Sequence, residues 1–401
     1  MNQIIVIGGN FAGLTSALEL KRRLGYSCKV IMISKLPYFL FNPSLFWIPF
    51  GKRELEDIAI PLERITSKAQ IELICAEATE ILPDKRIVKC NDKEFTYDYL
   101  IIATGPKWIV NQVDGMGQES NISYFVDFVT AMKTRERLTD FIKNPGPVVI
   151  GAAQGLQCIG PAYEFLLSFE KRCRSEGIRN KVDLTFITPE PYLGHLGMDG
   201  LTGSHFIMKN LLRVFKINYI TNAEIKKVTN DTIILNTAQS LPYKFAVIMP
   251  MFEGADVIKN STGLGNDHAF LPVSEGYQHN TYPNIFGIGS TIDLPSVFNT
   301  QVPVGIAKTG YAAIVSAKIA VENIIRLING NYQLKLKPMT KLPELCVLDA
   351  GDKEVLTFTI PLLKPRMFSL AFPNLIDNSV KIAVEKYFLW KFRHGYSWLP
   401  P

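Results

Sequence analysis

A cysteine stands just beyond a turn whose glycine spacing is broken. The stretch Pro145-Gly146-Pro147-Val148-Val149-Ile150-Gly151-Ala152-Ala153-Gln154-Gly155-Leu156-Gln157-Cys158 starts as a buried strand and runs into a glycine turn. A nicotinamide dinucleotide asks for G-x-G-x-x-G at such a turn, so that the backbone can approach the pyrophosphate. Ala153 and Leu156 take the second and third glycine positions here, and Cys158 and Pro161 follow. The turn has lost what seats NAD(P)H and gained a thiol, a group suited to nucleophilic attack and sulfur exchange. The remaining cysteines are Cys28, Cys75, Cys90, Cys173 and Cys346, with no C-x-x-C pair among them, which argues against a zinc ribbon. Cys28, Cys75 and Cys90 lie in strand-like or turn contexts and read as packing residues.

The elements around these residues are of the dinucleotide-binding type. Gln3–Ile7 reads as an apolar strand, Gly8-Gly9-Asn10-Phe11-Ala12-Gly13 as a turn, and Leu14 to about Leu24 as a helix. Gly8 makes the tight turn, Gly13 lets the helix pack close, and the helix N-terminus offers N–H groups to a pyrophosphate. Asn10 replaces the middle glycine and is expected to tolerate a positive φ. A second strand, Cys28–Ile33, ends at Ser34, where an acidic residue normally meets the adenine ribose. Tyr97–Gly105 reads as a buried strand ending in Ala103-Thr104-Gly105, a signature of two-dinucleotide flavoproteins. Tyr282–Gly289 resembles the strand that normally carries an aspartate to the FAD ribityl chain, but Ser290 and Thr291 follow it.

Size and composition fit two or three globular domains: 401 residues, 47% hydrophobic and 20% charged. The net charge of +6 is mildly basic and is not gathered into the stripe that nucleic-acid binding needs. No apolar run reaches the roughly 18 residues of a transmembrane helix. The N-terminus opens directly into a strand, so no secretory signal is expected and a cytoplasmic start is.

Larger motifs make the resemblance specific. Tyr38-Phe39-Leu40-Phe41-Asn42-Pro43-Ser44-Leu45-Phe46-Trp47, Cys158-Ile159-Gly160-Pro161-Ala162-Tyr163-Glu164-Phe165, Glu190–Gly197, Val302–Tyr311 and the segment around Cys346 together resemble the sulfide:quinone oxidoreductases. The resemblance runs from Ile4 to the region near Tyr396. It implies FAD as cofactor, sulfide and a membrane quinone as substrates, and polysulfide or sulfur as product. It also implies that Cys158 and Cys346 are the redox pair. Ser34 and the missing aspartate after Gly289 are in keeping with this family. Many members carry a third cysteine, and the matching stretch Asn121–Phe128 has none. The expected FAD-binding set is Gly8, Asn10, Phe11, Ala12, Gly13, Ser34, Lys35, Pro43, Ala78, Ala103, Thr104, Gly105, Gly289, Gly305 and Lys308.

Three further residues are candidates for catalysis. Glu164 follows Cys158 near a helix start and can relay protons if burial raises its pKa. His195, in a glycine-flanked loop, can lower the pKa of sulfide or a thiol. Lys308, at the opening of a helix, can steady a reduced flavin or bond a quinone carbonyl. From Asn374 to Arg393 the chain reads as an amphipathic helix. Ile376, Val380, Ala383, Val384, Tyr387 and Phe388 form its apolar face, and Lys381, Glu385, Lys386, Lys391 and Arg393 supply charge. With Met367–Phe372 before it and Trp390 and Trp398 near its end, it is expected to lie on a bilayer and guide quinone. Tyr387, Phe388 and Lys308 are the expected quinone contacts.

The fold expected is α/β: two Rossmann-like dinucleotide-binding domains, one for FAD and one a degenerate NAD-type unit, plus a C-terminal membrane-associating segment. The FAD domain is discontinuous, 1–112 and 270–325. The second domain is 113–269 and the C-terminal domain 326–401. A peripheral membrane protein, on the cytoplasmic face and possibly a homo-oligomer, is expected. The alternative is a type II NADH:quinone dehydrogenase, with Glu190 on the NAD ribose.

Overall fold

In the computed structural model, residues 1–117, 120–374 and 379–401 are described. Two parallel five-stranded sheets form its centre. The first runs Ile285–Gly287, Tyr99–Ile102, Asn2–Ile7, Cys28–Ser34, Glu72–Cys75. The second runs Ile122–Ser123, Phe245–Met249, Val148–Ala152, Leu184–Ile187, Asn218–Ile220. Their central strands are continuously apolar because both faces are covered, one by helices and the other by a small three-stranded antiparallel sheet: Ile4, Ile5, Val6 and, in the second sheet, Val148, Val149, Ile150 are buried.

The first turn shows why glycine is required. Gly8 has φ of +112°, and a Cβ there would stand 2.1 Å from the Ala103 carbonyl oxygen. A Cβ at Gly13 would stand 1.9 Å from the Gly8 carbonyl oxygen. Asn10 departs from expectation. Its φ is −102°, and it caps the helix Phe11–Leu24 by accepting the Phe11 N–H at 2.9 Å. The helix therefore starts three residues earlier than predicted, because a polar cap displaced the left-handed turn. The strand ending at Ala103 is also shorter than read, Tyr99–Ile102.

A third, antiparallel sheet joins Glu344–Asp349, Glu354–Ile360 and Phe368–Asn374. Its register gives it two unlike faces. Leu345, Phe358 and Leu370 lie abreast on one, with Val347, Leu356 and Phe372 beside them; Cys346, Thr357 and Ala371 lie on the other. The apolar face is the outer one: Leu345, Phe368, Leu370 and Phe372 are exposed, while Thr357 and Ala371 are buried.

The last helix spans Ser379–Arg393, since residues through Asn374 belong to the sheet. The predicted position Ile376 lies outside the described residues. The buried face of this helix carries Lys381, Glu385 and Lys391 with Leu389 and Phe392, whereas Ala383 is exposed. The expected polarity holds only in part: Val384 and Phe388 pack on the core and Lys386 and Arg393 are exposed, but three of the charges face inward. Glu385 pairs with Arg53 at 3.0 Å and accepts from Ser44 Oγ at 2.6 Å, and Lys391 donates to the Pro400 carbonyl at 2.7 Å. Of the cysteines read as packing, Cys28 and Cys90 are buried, but Cys75 is exposed at the end of an edge strand.

Candidate active site

The helix Gly160–Ser175 brings the two predicted redox cysteines together. It follows Cys158 and packs on the Glu344–Asp349 strand so closely that a Cβ at Gly160 would stand 3.2 Å from Leu348 Cδ2. Cys346 sits mid-strand on the inner face, and its thiol feels the charge of Cys158. Both are free thiols that keep partly open surface deep among protein atoms. Burial pushes Cys158 up to about 12, helped by Glu164 and Glu344 and opposed by a hydrogen bond from the Gly160 backbone and by Lys381. Cys346 is raised further, again by burial first, with Glu164, Glu344 and Cys158 adding and Lys381 opposing. The chamber disfavours anions.

Glu164 is buried beside both thiols and forms an ion pair with Lys381. It also accepts the Asp349 N–H at 2.9 Å. Burial raises its pKa to about 7 against these two partners. Lys381 lies 4.6 Å from the Phe46 ring and donates to the Val347 carbonyl at 3.3 Å. The motif ending at Trp47 forms the floor of this cluster: Trp47 Nε1 donates to Asp349 Oδ2 at 2.7 Å, and Lys52 reaches the same oxygen at 3.7 Å. Lys381 is buried rather than part of a solvated charged face. Its spacing with Glu385, Leu389 and Phe392 is that of one helix face, the signal that would have revealed it.

The other candidates are placed differently. His195 is neutral, because burial drives its pKa down to about 4. Its ring lies edge-on to Phe298 at 4.7 Å and its Nε2 is 3.9 Å from Asp199. It cannot lower a thiol pKa by charge, which corrects the expectation. Lys308 precedes its helix, which runs Gly310–Ile328 with Thr309 as cap. Its ammonium sits 3.7 Å from the Phe270 ring and donates to the Ile292 carbonyl at 2.8 Å, and burial pushes its pKa down to about 7. Phe388 packs against Phe11 (5.7 Å) and Phe41 (5.8 Å), while the Tyr387 hydroxyl donates to the Pro400 carbonyl at 2.8 Å.

The residues around the first sheet fit FAD. Capping by Asn10 leaves Ala12 and Gly13 N–H groups at the start of a helix aimed from the strand ends. Gly105 follows Ala103 and Thr104 and has nothing within 4 Å of a Cβ position. Thr291 Oγ1, next to the Gly289 turn, and Gln157 Oε1, next to Cys158, are buried with no partner among the described residues. Ser34 Oγ donates to the Leu36 carbonyl at 2.7 Å, so toward a ribose it is left as an acceptor. Lys35 is exposed and pairs with Glu77 at 2.9 Å, next to buried Ala78. Pro43 lies in the Asn42–Trp47 turn.

The second glycine turn is closed to a dinucleotide. Gly155 N–H donates to the Pro303 carbonyl at 2.8 Å, and Gly305 N–H donates to the Leu156 carbonyl at 3.2 Å. A Cβ at Gly305 would stand 2.3 Å from Gln157 Cγ. The chain itself occupies the pyrophosphate seat. Glu190 is fully buried and accepts from Tyr163 Oη (2.6 Å), Thr188 Oγ1 (2.8 Å) and Leu196 N (2.6 Å). No oxygen of it remains for an NAD ribose.

Residues 2–317 match the family model of the pyridine nucleotide-disulphide oxidoreductases. The sulfide-quinone reductase of Aquifex aeolicus is 37% identical over 399 residues, covering 98% of this chain and 91% of that protein. The X-ray structure of the sulfide:quinone oxidoreductase from Aquifex aeolicus superposes with a TM-score of 0.93 and 35% identity, over 98% of this chain and 92% of that one. The mitochondrial sulfide:quinone oxidoreductase of Dictyostelium discoideum is 24% identical, over 81% of this chain and 71% of that protein.

Proposed function

Since the chain belongs to the sulfide:quinone oxidoreductase family, we propose that Cys158 and Cys346 are the sulfur relay of its reaction. Membership makes it an FAD-dependent enzyme that passes electrons from sulfide to quinone. Bound FAD supplies the two-electron carrier between sulfur and quinone. Gly8, Phe11, Ala12, Gly13 and the Ala103-Thr104-Gly105 and Gly289–Thr291 turns are the residues to hold it.

In the oxidised relay the two cysteine sulfurs are joined, directly or through sulfur. Sulfide attacks one of them: a new S–S bond forms, the old one breaks, and the other sulfur leaves as a thiolate. Glu164 and Lys381 attend that charge, the lysine stabilising the thiolate and the carboxyl holding a proton. The relay ends with the growing sulfur chain as polysulfide or sulfur. The observation that carries this reading is the packing of the helix that follows Cys158 on the strand that holds Cys346, with Glu164 and Lys381 acting on both thiols.

The outer face of the C-terminal sheet is the surface we assign to the bilayer. Phe368, Leu370 and Phe372 form an exposed apolar row, flanked by Met367 and, from the neighbouring strand, Leu345. A soluble surface rarely gathers such residues contiguously. Trp390 and Trp398 are exposed on the adjoining C-terminal segment and suit the headgroup level. No helix among the described residues is long and apolar enough to cross a membrane. Attachment is then peripheral, and quinone reaches the flavin past Phe388.

Cys158→Ser and Cys346→Ser test the relay. Each is expected to abolish sulfide-dependent quinone reduction while FAD remains bound in normal amount. Full activity in both variants sinks it.

A further inference from the structure

Glu344 lies two residues before Cys346, on the same inner face of the same strand. Its side chain is buried. One carboxyl oxygen, Oε2, accepts the Thr309 hydroxyl proton at 2.6 Å. The other, Oε1, has no hydrogen-bond partner among the described residues. A buried carboxyl oxygen left bare is costly and calls for a ligand to meet it. The strand position beside Cys346 sets this carboxyl near the thiols, and its charge acts on both Cys158 and Cys346.

The chamber poses a problem that this geometry answers. It disfavours anions, so sulfide enters as neutral hydrogen sulfide, which is a poor nucleophile until it loses a proton. Glu164 is engaged by Lys381 and the Asp349 backbone. Both of those partners meet one Glu164 oxygen, and Lys381 holds that carboxyl as an ion pair, whereas Glu344 has no cation paired with it among the described residues and is the stronger base of the two.

We propose that Glu344 is the general base of sulfide oxidation, its Oε1 taking the proton of entering hydrogen sulfide. Hydrogen sulfide and the Glu344 carboxylate give hydrosulfide and the carboxylic acid. Hydrosulfide then attacks the joined cysteine sulfurs, forming one S–S bond and breaking another, and the electron pair stays on the departing thiolate. The proposal rests on the Cys158–Cys346 relay. Burial raises the Glu344 pKa to about 8 against the Thr309 hydrogen bond, which suits a base working near neutrality. The titratable groups that share its surroundings are Cys158 on the preceding turn, Cys346 on its own strand and Tyr311 on the helix that Thr309 caps. Lys308 is turned away to the Ile292 carbonyl.

The test uses the FAD-loaded full chain and sodium sulfide under anaerobic conditions, following flavin absorbance between pH 6 and 9. Glu344→Gln keeps the Thr309 hydrogen bond. It is expected to slow flavin reduction by roughly 100-fold or more at pH 8. It is also expected to remove the rise of the rate constant, per neutral hydrogen sulfide, through about pH 8. Reoxidation of dithionite-reduced enzyme by a quinone should be unchanged. Infrared spectra without turnover supply a second readout: a protonated-carboxyl band that titrates through about pH 8 and is missing in the variant. Should Glu344→Gln fail to fold, Thr309→Val serves, moving both the rate profile and the band to higher pH. Wild-type rates and profile in Glu344→Gln, loss confined to the quinone step, or no shift in Thr309→Val overturns the proposal. Cys158→Ser run alongside separates the two readings. If it still reduces flavin with sulfide, the relay itself falls; if it does not while Glu344→Gln is unaffected, only the base assignment falls.

Discussion

Lys381→Met removes the cation that pairs with Glu164 and leaves its methylene volume in place against Phe46 and Trp47. The consequence depends on pH in a calculable way. The Glu164 pKa is raised from 4.5 to about 7 in the fold, so the folded state binds more protons than the unfolded one between those values. Stability from this carboxyl is full below 4.5, falls as pH rises to about 7, and is then flat; the whole fall is roughly 3 kcal/mol. Without Lys381 the pKa climbs further, and the fall continues at about 1.4 kcal/mol per pH unit. By pH 8.5 the variant has lost about 2 kcal/mol more than wild type has. Below pH 6 Glu164 is largely neutral in both, and what remains is the packing change and the lost Lys381–Val347 hydrogen bond, each about 1 kcal/mol and neither dependent on pH. Thermal melts of the FAD-loaded protein check this: the Tm gap between variant and wild type should be small at pH 6 and widen steadily to pH 8.5. A gap constant with pH, or narrowing, refutes the assignment of Lys381 as the counter-charge of Glu164. The same substitution should slow alkylation of Cys158 and Cys346 at fixed pH, because Lys381 is the charge that lowers both thiol pKa values, beside the Gly160 backbone at Cys158.

NADH added to the oxidised enzyme should leave the flavin absorbance unchanged over minutes, because Pro303–Gly305 fill the second turn; rapid bleaching would revive the NADH dehydrogenase alternative. Gly13→Ala should lose most bound FAD, read as the ratio of visible to protein absorbance, since its methyl has 1.9 Å to the Gly8 oxygen. Phe368→Ser, Leu370→Ser and Phe372→Ser together should release the enzyme from quinone-containing vesicles in a sedimentation assay, with sulfide-dependent flavin reduction retained. Undiminished vesicle binding would move the membrane surface elsewhere.

The dinucleotide architecture was legible because strands buried on both faces and a glycine turn leave few alternatives. The periodicity of Gln3–Ile7 and the Gly8–Gly13 spacing are local facts, and local facts survive folding. The backbone of Asn10 was misread because two properties of one residue compete: tolerance of positive φ and helix capping. The structure uses the second. The C-terminal helix was misread for a tertiary reason. A pattern of charges says nothing about whether partners wait beneath it, and here Glu164, Arg53 and the Leu399 and Pro400 carbonyls do. Glu344 was invisible for the same cause, since its meaning comes from Thr309 and Cys158, both far from it in the chain, as well as from Cys346 beside it. The Pro303 contact with Gly155 could not be foreseen from either segment alone.

The C-terminal sheet is a partition one residue thick. Leu345 looks outward to an oily exterior, Cys346 inward to the sulfur, and only the pleat separates them. A strand alternates strictly, so sliding Glu344–Asp349 by one position against its neighbour would trade thiol for leucine along the whole wall. What prevents this is the short bend after it, where Ala350 N–H closes on the Lys353 carbonyl at 2.7 Å and Gly351, at φ +81°, nests against the Leu167 carbonyl. That bend works as a ratchet stop. In this hairpin a single inserted residue is therefore a graver injury than most substitutions, because it inverts the wall rather than denting it.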